Sequence, residues 1–153
     1  MTPNNAKRVC AAISEARRAL DQLDIPAGVD VRLVGSTYIK DTDSSDVDLL
    51  VTSALDINSL RFDGWEYGGS TPKSGGGWCS WKKTIIVDDK PVEVNLLVCE
   101  DRAYIKSWLD AAEVCRFLSL AGVTLTRGQV HGVHAIIMDD HDAEGELTLR
   151  NYD

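Results

Sequence analysis

The sequence predicts a mixed α+β fold in which a mostly antiparallel sheet is flanked by helices. Amphipathic segments with helical spacing lie near both ends of the chain, alternating apolar runs lie between them, and a hairpin pattern joins two of those runs. A chain of 153 residues with 44% hydrophobic content can bury one core. We therefore expect a single domain over residues 1–153, with its core over about 29–98 and C-terminal helices over about 102–141.

The first predicted helix covers about residues 5–23. Its apolar residues recur at spacings of three and four, which places them on one face. Pro26 and Gly28 are expected to end the helix. The apolar stripe consists of Val9, Ile13, Ala16, Leu20 and Leu23.

Strands are predicted at residues 29–34 and 47–52. The segment 53–67 is ambiguous, and a short helix over 55–60 followed by an extended stretch is one interpretation of it. Two later strands, 78–87 and 91–98, are predicted to form a hairpin. This hairpin brings Glu93 into the sheet beside the strand 47–52.

Residues 68–77 contain five glycines in ten positions. Such a segment has no fixed shape by its own propensity. One interpretation is a flexible hairpin tip, and the other is a mobile flap in which Lys73 reaches a ligand phosphate. We favour the hairpin tip, since Gly-Lys-Ser/Thr opening a helix, the mark of a phosphate-binding Walker loop, is absent from this segment.

Two helices are predicted after the hairpin. The first covers about residues 102–121 and is ended by Gly122. A capping box at Thr126 and Gln129 begins the second. Its buried face is predicted to consist of Val130, Val133, His134 and Ile137, and residues 146–152 are compatible with an edge strand.

Three groups of polar residues indicate a phosphate and metal site. Gly35-Ser36 leaves one apolar run, and Asp46-x-Asp48 enters another after a spacer of nine residues. The strand alternation points both aspartates to one face, where they can share a metal ion, and the Gly-Ser turn offers N–H groups and a hydroxyl to a phosphate. A third carboxylate, Glu93, lies in the apolar run 92–98, where burial without a partner costs several kcal/mol. The alternative for Glu93 is an exposed strand face shared with Asn95.

With these parts in this order, the chain resembles the nucleotidyltransferase superfamily that includes DNA polymerase beta, CCA-adding enzymes, poly(A) polymerases and small bacterial nucleotidyltransferases. The family pattern is a Gly-Ser pair, an acidic-x-acidic pair and a third carboxylate on a later strand. The resemblance covers residues 29–98, which it implies are the catalytic core of a nucleotidyltransferase fold. It implies metal-dependent transfer of a nucleoside monophosphate from an NTP to an acceptor hydroxyl, with release of pyrophosphate.

The resemblance also implies roles for individual residues. Asp46 and Asp48 would bind two Mg²⁺ (or Mn²⁺) ions, while Glu93 would hold the catalytic ion and help to deprotonate the acceptor. Gly35 and Ser36 would bind the triphosphate.

Two lysines are further candidates for nucleotide binding. Lys40 follows the Gly-Ser pair, and Lys106 lies on the helix after the third carboxylate, where several relatives place a basic residue; Arg116 is a second candidate on that helix. The spacer is one residue shorter than the commonest family form, and Lys40-Asp41-Thr42 stands where many relatives have a basic residue followed by Gly-Thr. We expect Asp41 and Asp43 to be solvated turn residues.

Charge and composition limit the partners. A net charge of −8 disfavours tight nonspecific binding to long nucleic acid, which depends on Lys and Arg. We therefore expect an NTP donor and an acceptor that is an RNA end, a small molecule or a protein. No run reaches the length of a membrane span, and residues 1–28 do not have the pattern of a signal peptide, so we expect a cytoplasmic protein without membrane partners.

The cysteines and histidines do not form a recognisable metal pattern. Cys10, Cys79, Cys99 and Cys115 are scattered and are predicted to be reduced core residues. His134 is predicted to lie at the edge of the core, with His131 and His141 in solvent.

The second functional hypothesis is a regulatory or antitoxin-like binding protein with the same fold and a protein partner; three carboxylates in order favour the enzyme.

Overall fold

The structure, a computed structural model, describes residues 2–23, 30–40, 46–52, 60–71, 78–100 and 102–138. Within these ranges it contains four helices and five strands. In chain order they are α1 (Pro3–Asp21), β1 (Val31–Val34), α2 (Gly35–Lys40), β2 (Asp46–Thr52), β3 (Glu66–Thr71), β4 (Trp78–Val87), β5 (Lys90–Cys99), α3 (Arg102–Leu120) and α4 (Arg127–Ile137). No helix in these ranges is both long and apolar enough to cross a membrane.

The five strands form one mixed sheet in the order β1-β2-β5-β4-β3. The central pair, β2 and β5, is parallel, whereas the other three pairs are antiparallel. The predicted mixed α+β fold, with a mostly antiparallel sheet and flanking helices, is therefore confirmed. Asp88 and Asp89 both have positive φ in the tight turn between β4 and β5, which is the backbone that a two-residue hairpin requires.

Strand alternation gives the sheet two different faces. One face packs against α1 and forms the larger core, because every second residue of β2 and β5 is buried there. The opposite face packs against α3 through Leu50, Cys99, Tyr104 and Ile105. Helices α2 and α4 pack against α3 through a third cluster containing Ile39, Cys115 and Leu125. The large core contains Val47, Leu49, Val51, Val92, Val94, Leu96 and Val98 from β2 and β5.

The predicted helix boundaries agree with the structure to within a few residues. Helix α1 ends at Asp21, before the predicted stop, and α3 ends at Leu120 with Gly122 at a φ of +92°. The Thr126–Gln129 capping box is present in both directions, with bonds of 3.2 and 2.9 Å. On α4, only Ala135 is fully buried, whereas the predicted residues of its buried face are half-buried.

Three sequence predictions are wrong. Residues 35–40 form helix α2 where only a spacer was predicted, and residues 68–71 belong to β3 because β4 supplies hydrogen-bonding partners to this glycine-rich segment. Cys10 is exposed, since it lies outside the apolar stripe of α1, whereas the other three cysteines are buried. The predictions for 24–29, 41–45, 53–59, 72–77 and 139–153 lie outside the described residues; they include the solvated turn residues Asp41 and Asp43, the flap, His141 and the edge strand.

Candidate functional site

The predicted acidic residues lie on neighbouring strands of the sheet. Asp46 is paired with Glu93, and Asp48 is paired with Asn95, across the parallel β2–β5 ladder. Paired residues of adjacent strands point to the same face and lie about 5 Å apart at their backbones. The pairing therefore places all four polar side chains together on the face that also carries α3.

Asp48 is the most enclosed of the three carboxylates. The Asn95 side-chain amide donates to its Oδ1 at 2.8 Å. Burial raises the pKa of the Asp48 carboxyl above its ordinary 3.8, the neighbouring Asp46 and Glu93 carboxylates raise it further, and the Asn95 hydrogen bond lowers it in part. The electrostatic environment of Asp48 therefore favours a proton or a cation.

The Gly35 turn packs directly on Asp48. Gly35 has a φ of +77°, in the left-handed region that an L side chain rarely adopts. A Cβ at this position would lie 3.0 Å from Cβ and Cγ of Asp48 and would collide with its Oδ2. Only glycine combines this backbone conformation with this close approach, so the first two parts of the sequence motif are in direct contact.

Three side-chain hydrogen bonds to backbone carbonyls hold α2 in place. Thr37, which is buried, donates from its hydroxyl to the Asp46 carbonyl at 3.0 Å. Lys40 Nζ donates to the Leu125 carbonyl at 2.6 Å. Arg116 donates to the carbonyl of Tyr38 at 2.5 Å and stacks 4.7 Å above its ring. Helix α2 is thus connected to β2, to α3 and to the segment before α4.

Thr37→Val is expected to destabilise the protein by about 1 kcal/mol, because it removes the hydroxyl that bonds the Asp46 carbonyl and keeps the side-chain volume. Chemical denaturation measures this change. Thr124→Val, at an exposed position, is the matched control and is expected to have little effect. Equal stability of the Thr37→Val protein and the parent would show that this bond does not stabilise α2.

Glu93 differs from the two aspartates in its surroundings. Its carboxylate lies 3.9 Å from Lys82 Nζ, and both side chains are nearly half exposed. These two residues border a depression of about 370 Å³, together with Glu66, Thr84 and Pro91. Lys83 also borders the depression, but its ammonium group binds Glu15 of α1 at 3.1 Å on the opposite face of the sheet. Lys82 is therefore the lysine of this pair that lies on the carboxylate face.

A cleft of about 850 Å³ opens beside the two aspartates. This volume is within the roughly 300–1,000 Å³ typical of ligand sites. Gly35, Ser36 and Lys40 border it together with Asp46 and Asp48. Five of the seven predicted site residues therefore share one cleft, while Glu93 borders the adjacent depression.

The seventh predicted site residue, Lys106, lies elsewhere. It forms an exposed ion pair with Asp110, one turn further along α3, at 2.9 Å, and it does not line the cleft. Arg116 donates to the Tyr38 carbonyl and stacks on the Tyr38 ring. The resemblance that suggested both residues gives the helix on which they lie but does not determine which face of α3 meets the cleft.

Several cleft residues were not predicted from the sequence. Helix α4 contributes Arg127, His131 and His134, at the spacings of four and three that place residues on one helix face. The expectation that His131 lies in solvent is wrong, since it is half-buried at the cleft. The helical spacing was visible in the sequence, but the face of α4 that meets the cleft depends on its packing against α3.

The donor set suits a hard divalent cation. Carboxylate oxygens from Asp46, Asp48 and Glu93 are the ligand type that Mg²⁺ and Mn²⁺ prefer. A cation would also offset the repulsion that raises the pKa of Asp48. In the described part of the chain, no group of three or more His, Cys, Asp or Glu side chains is already positioned to hold a metal ion.

Comparison with known proteins identifies no similar protein. No family model, curated protein or solved structure matches the chain. The fold is stated from the chain's own elements: a mixed α+β domain with a five-stranded mixed sheet and flanking helices.

Proposed function

We propose that this chain is a metal-dependent nucleotidyltransferase, with the fold of the DNA polymerase beta-like superfamily. It would move a nucleoside monophosphate from an NTP to an acceptor hydroxyl and release pyrophosphate. The observation that carries the proposal is the alignment of Asp46 with Glu93 across β2 and β5, with Asp48 in contact with the Gly35 turn. This alignment joins three separate parts of the sequence motif in one place.

Asp46, Asp48 and Glu93 would hold Mg²⁺ or Mn²⁺. When bound, such ions neutralise the charge of the transferred phosphoryl and leaving pyrophosphate groups. Asn95 fixes the orientation of the Asp48 carboxylate through its 2.8 Å hydrogen bond. The two partly buried carboxylates of Asp46 and Asp48 provide the concentrated negative charge that a divalent ion requires.

The Gly35–Ser36 turn would bind the triphosphate. Its backbone is exposed to the cleft and lies against Asp48, so a phosphate that meets the turn also lies beside the carboxylates. Ser36 is exposed and can donate its hydroxyl. Lys40 borders the same cleft and adds a positive charge, although its ammonium group also donates to Leu125.

The acceptor hydroxyl would enter from the depression beside Glu93. Glu93 accepts the hydroxyl proton, the acceptor oxygen bonds to the α-phosphorus, and the bond from that phosphorus to the bridging oxygen breaks as pyrophosphate leaves. The catalytic contribution of the chain is orientation and charge, since the phosphoryl group needs little covalent assistance. Acceptors of the three expected classes, an RNA end, a small molecule or a protein, all carry such a hydroxyl.

The test is transfer of label from each α-labelled NTP, with Mg²⁺ or Mn²⁺, alone and with host RNA and protein extract. We expect label transfer or pyrophosphate release by the parent protein and none by the Asp46→Asn/Asp48→Asn variant. Asp63→Asn, at an exposed position outside the cleft, is the matched control and should retain full activity. Absence of NTP binding, together with equal behaviour of parent and double variant, would refute the proposal.

A regulatory protein with the same fold is the second candidate. It is favoured by exposed apolar side chains on the C-terminal half of α3, where Phe117 is 70% and Leu120 is 75% exposed. In that case the Asp46→Asn/Asp48→Asn variant would retain its biological effect, and Phe117→Ser/Leu120→Ser would lose it. The enzyme hypothesis predicts the reverse pattern.

A further inference from the structure

The cleft changes from acidic to apolar along the strands. On the carboxylate face, Asp48 of β2 is followed by Leu50, and Asn95 of β5 is followed by Leu97. Trp78 lies four residues before Lys82, the partner of Asn95 on β4. At about 3.4 Å per residue, Trp78 is therefore roughly 13 Å along the sheet from the row that contains Asp48. The acidic residues and the tryptophan thus occupy different ends of one cleft.

Aromatic side chains surround the apolar end. Trp108 of α3 lies 6.0 Å from Trp78 and 6.0 Å from Tyr104, in edge-to-face geometry in both pairs. All three border the cleft, and Trp78 and Trp108 are only partly buried by the neighbouring core. Parts of the Trp78 and Trp108 rings are therefore accessible to a ligand in the cleft.

His134 lies one turn of α4 before Met138, which packs against the same cluster as Trp78 and Trp108, and it adds a polar group to the lining of the cleft. Its Nδ1 lies 2.9 Å from the Val130 carbonyl, which can only accept a hydrogen bond, so Nδ1 carries the proton. In the neutral ring, Nε2 then carries a lone pair and accepts hydrogen bonds. Burial lowers the pKa of His134, the bond to Val130 opposes this, and the neighbouring His131 lowers the pKa further. The ring is accordingly neutral near pH 7.

We propose that the end of the cleft formed by Trp78, Tyr104, Trp108 and His134 binds the nucleobase of the NTP. The base lies against the tryptophan rings, and Nε2 of His134 accepts a hydrogen bond from an N–H of the base. This inference rests on the proposed function, and it adds where the base of the donor is held and by which residues. Three of these four residues lie on α3 and α4, outside the segment that carries the motif, and Trp78 lies on β4.

The geometry favours a base over other occupants of this end. A nucleotide carries its planar ring at a fixed distance from its charged phosphates, and the cleft has aromatic residues at one end and the Gly35–Ser36 turn with two carboxylates at the other. Base stacking on aromatic side chains tolerates any base, and a nearby hydrogen-bond acceptor adds preference. An aliphatic acceptor molecule has no planar ring that could stack on the tryptophan side chains.

The first test uses the unmodified protein and nucleosides without phosphate. Of the four tryptophans, Trp78 and Trp108 lie at the cleft, whereas Trp65 and Trp81 belong to the core on the opposite face. We expect the indole N–H resonances of Trp78 and Trp108 to shift on titration with nucleosides, while those of Trp65 and Trp81 stay in place. Ribose 5-phosphate, which lacks a base, is the ligand control. The absence of shifts at Trp78 and Trp108 would overturn the proposal.

The second test changes the aromatic surface. Trp108→Leu is expected to weaken nucleoside binding roughly 5- to 150-fold, the usual effect of losing one base–aromatic stack, whereas Trp108→Phe retains most of it. Ligand-observed NMR measures the affinity without using tryptophan as reporter, and thermal unfolding verifies that each variant is folded. Trp65→Phe, outside the cleft, is the control. Equal nucleoside affinity of folded Trp108→Leu and parent protein would contradict the stacking role.

The third test isolates His134. Adenosine should bind more tightly than purine riboside, and uridine more tightly than 3-methyluridine, because the second member of each pair lacks the N–H donor. We expect this preference, about three- to tenfold for one hydrogen bond, to disappear in His134→Phe and to persist in part in His134→Gln. Ile136→Ala, on the exposed side of α4, is the control. A preference that survives His134→Phe would exclude His134 as the acceptor.

The outcomes separate this inference from the proposed function. Label transfer without nucleoside-dependent shifts at Trp78 and Trp108 would support the enzyme and exclude this base site. Nucleoside-dependent shifts at these residues, without any label transfer that the Asp46→Asn/Asp48→Asn variant abolishes, would support the base site and count against the enzyme.

Discussion

Asp48→Asn is expected to stabilise the protein near pH 7 while lowering transferase activity about a hundredfold or more. The activity loss follows from the removal of a metal-binding charge, since such charges contribute several kcal/mol and each 1.36 kcal/mol is a factor of ten in rate. The stability gain has the opposite origin. Burial is the main reason that the charge of Asp48 is unfavourable, and repulsion from Asp46 and Glu93 adds to it; asparagine removes this charge.

The pH dependence has a definite sign. The folded state raises the pKa of Asp48 above 3.8, so folding favours the protonated carboxyl. The stability that the protonated Asp48 carboxyl contributes is fully present below pH 3.8. It is lost as the pH rises through the pKa that Asp48 has in the folded state. The gain in stability of Asp48→Asn over the parent protein should therefore be small at low pH and larger at neutral pH.

Thermal unfolding at about pH 4 and about pH 7 measures this difference, with about 2–4 °C expected for each 1 kcal/mol of relieved repulsion. Added Mg²⁺ should raise the melting temperature of the parent protein and leave that of Asp48→Asn nearly unchanged. Asp63→Asn, the exposed control, should show neither effect. A lower melting temperature for Asp48→Asn at neutral pH would mean that the carboxylate stabilises the fold.

Gly35→Ala is expected to destabilise the protein by about 2–5 kcal/mol and to abolish NTP binding. About 1–2 kcal/mol follows from placing a Cβ in the left-handed region, and about 1–3 kcal/mol follows from its collision with Asp48. The same collision displaces the carboxylate or the turn. Chemical denaturation and NTP titration measure the two effects.

The chain contains a close control for this substitution. Gly64 has a φ of +83° and no atom within 4 Å of a Cβ built on it, so Gly64→Ala tests the backbone strain without the collision. The Gly35→Ala/Asp48→Ala double variant tests the reverse case, because it removes the carboxylate and keeps the strain. We expect the double variant to recover part of the stability lost in Gly35→Ala. Equal losses in Gly35→Ala and Gly64→Ala would show that contact with Asp48 is unimportant.

The sequence was sufficient for the elements with strong local signals. The apolar stripe of α1, the turn at Asp88–Asp89 and the capping box of α4 are each determined by residues close together in the chain. The pairing of Glu93 with Asp46 could also be expected from alternation and the hairpin. The position of the carboxylates on the sheet could therefore be predicted from the sequence.

Features that depend on distant contacts were not predictable in the same way. Helix α2 has six residues, too few for a helical stripe, and its position depends on Arg116 and Leu125. Residues 68–71 lack strand propensity and are ordered by pairing with β4. The cleft-facing residues of α3 and α4 follow from how these helices pack, and spacing alone leaves the rotation of a helix open.

The three bonds that hold α2 have a consequence for the order in which the site assembles. Two of them connect residues 38 and 40 with residues 116 and 125, so they span 78 and 85 positions of the chain. Because closing a long loop costs entropy that local contacts do not repay, we expect these distant contacts to form after the intervening sheet and α3. We therefore expect the Gly35–Ser36 turn to be completed late, although its sequence lies in the first quarter of the chain. A nascent chain that ends after Glu93 contains the Thr37–Asp46 bond but still lacks Arg116 and Leu125, which make the other two bonds to α2.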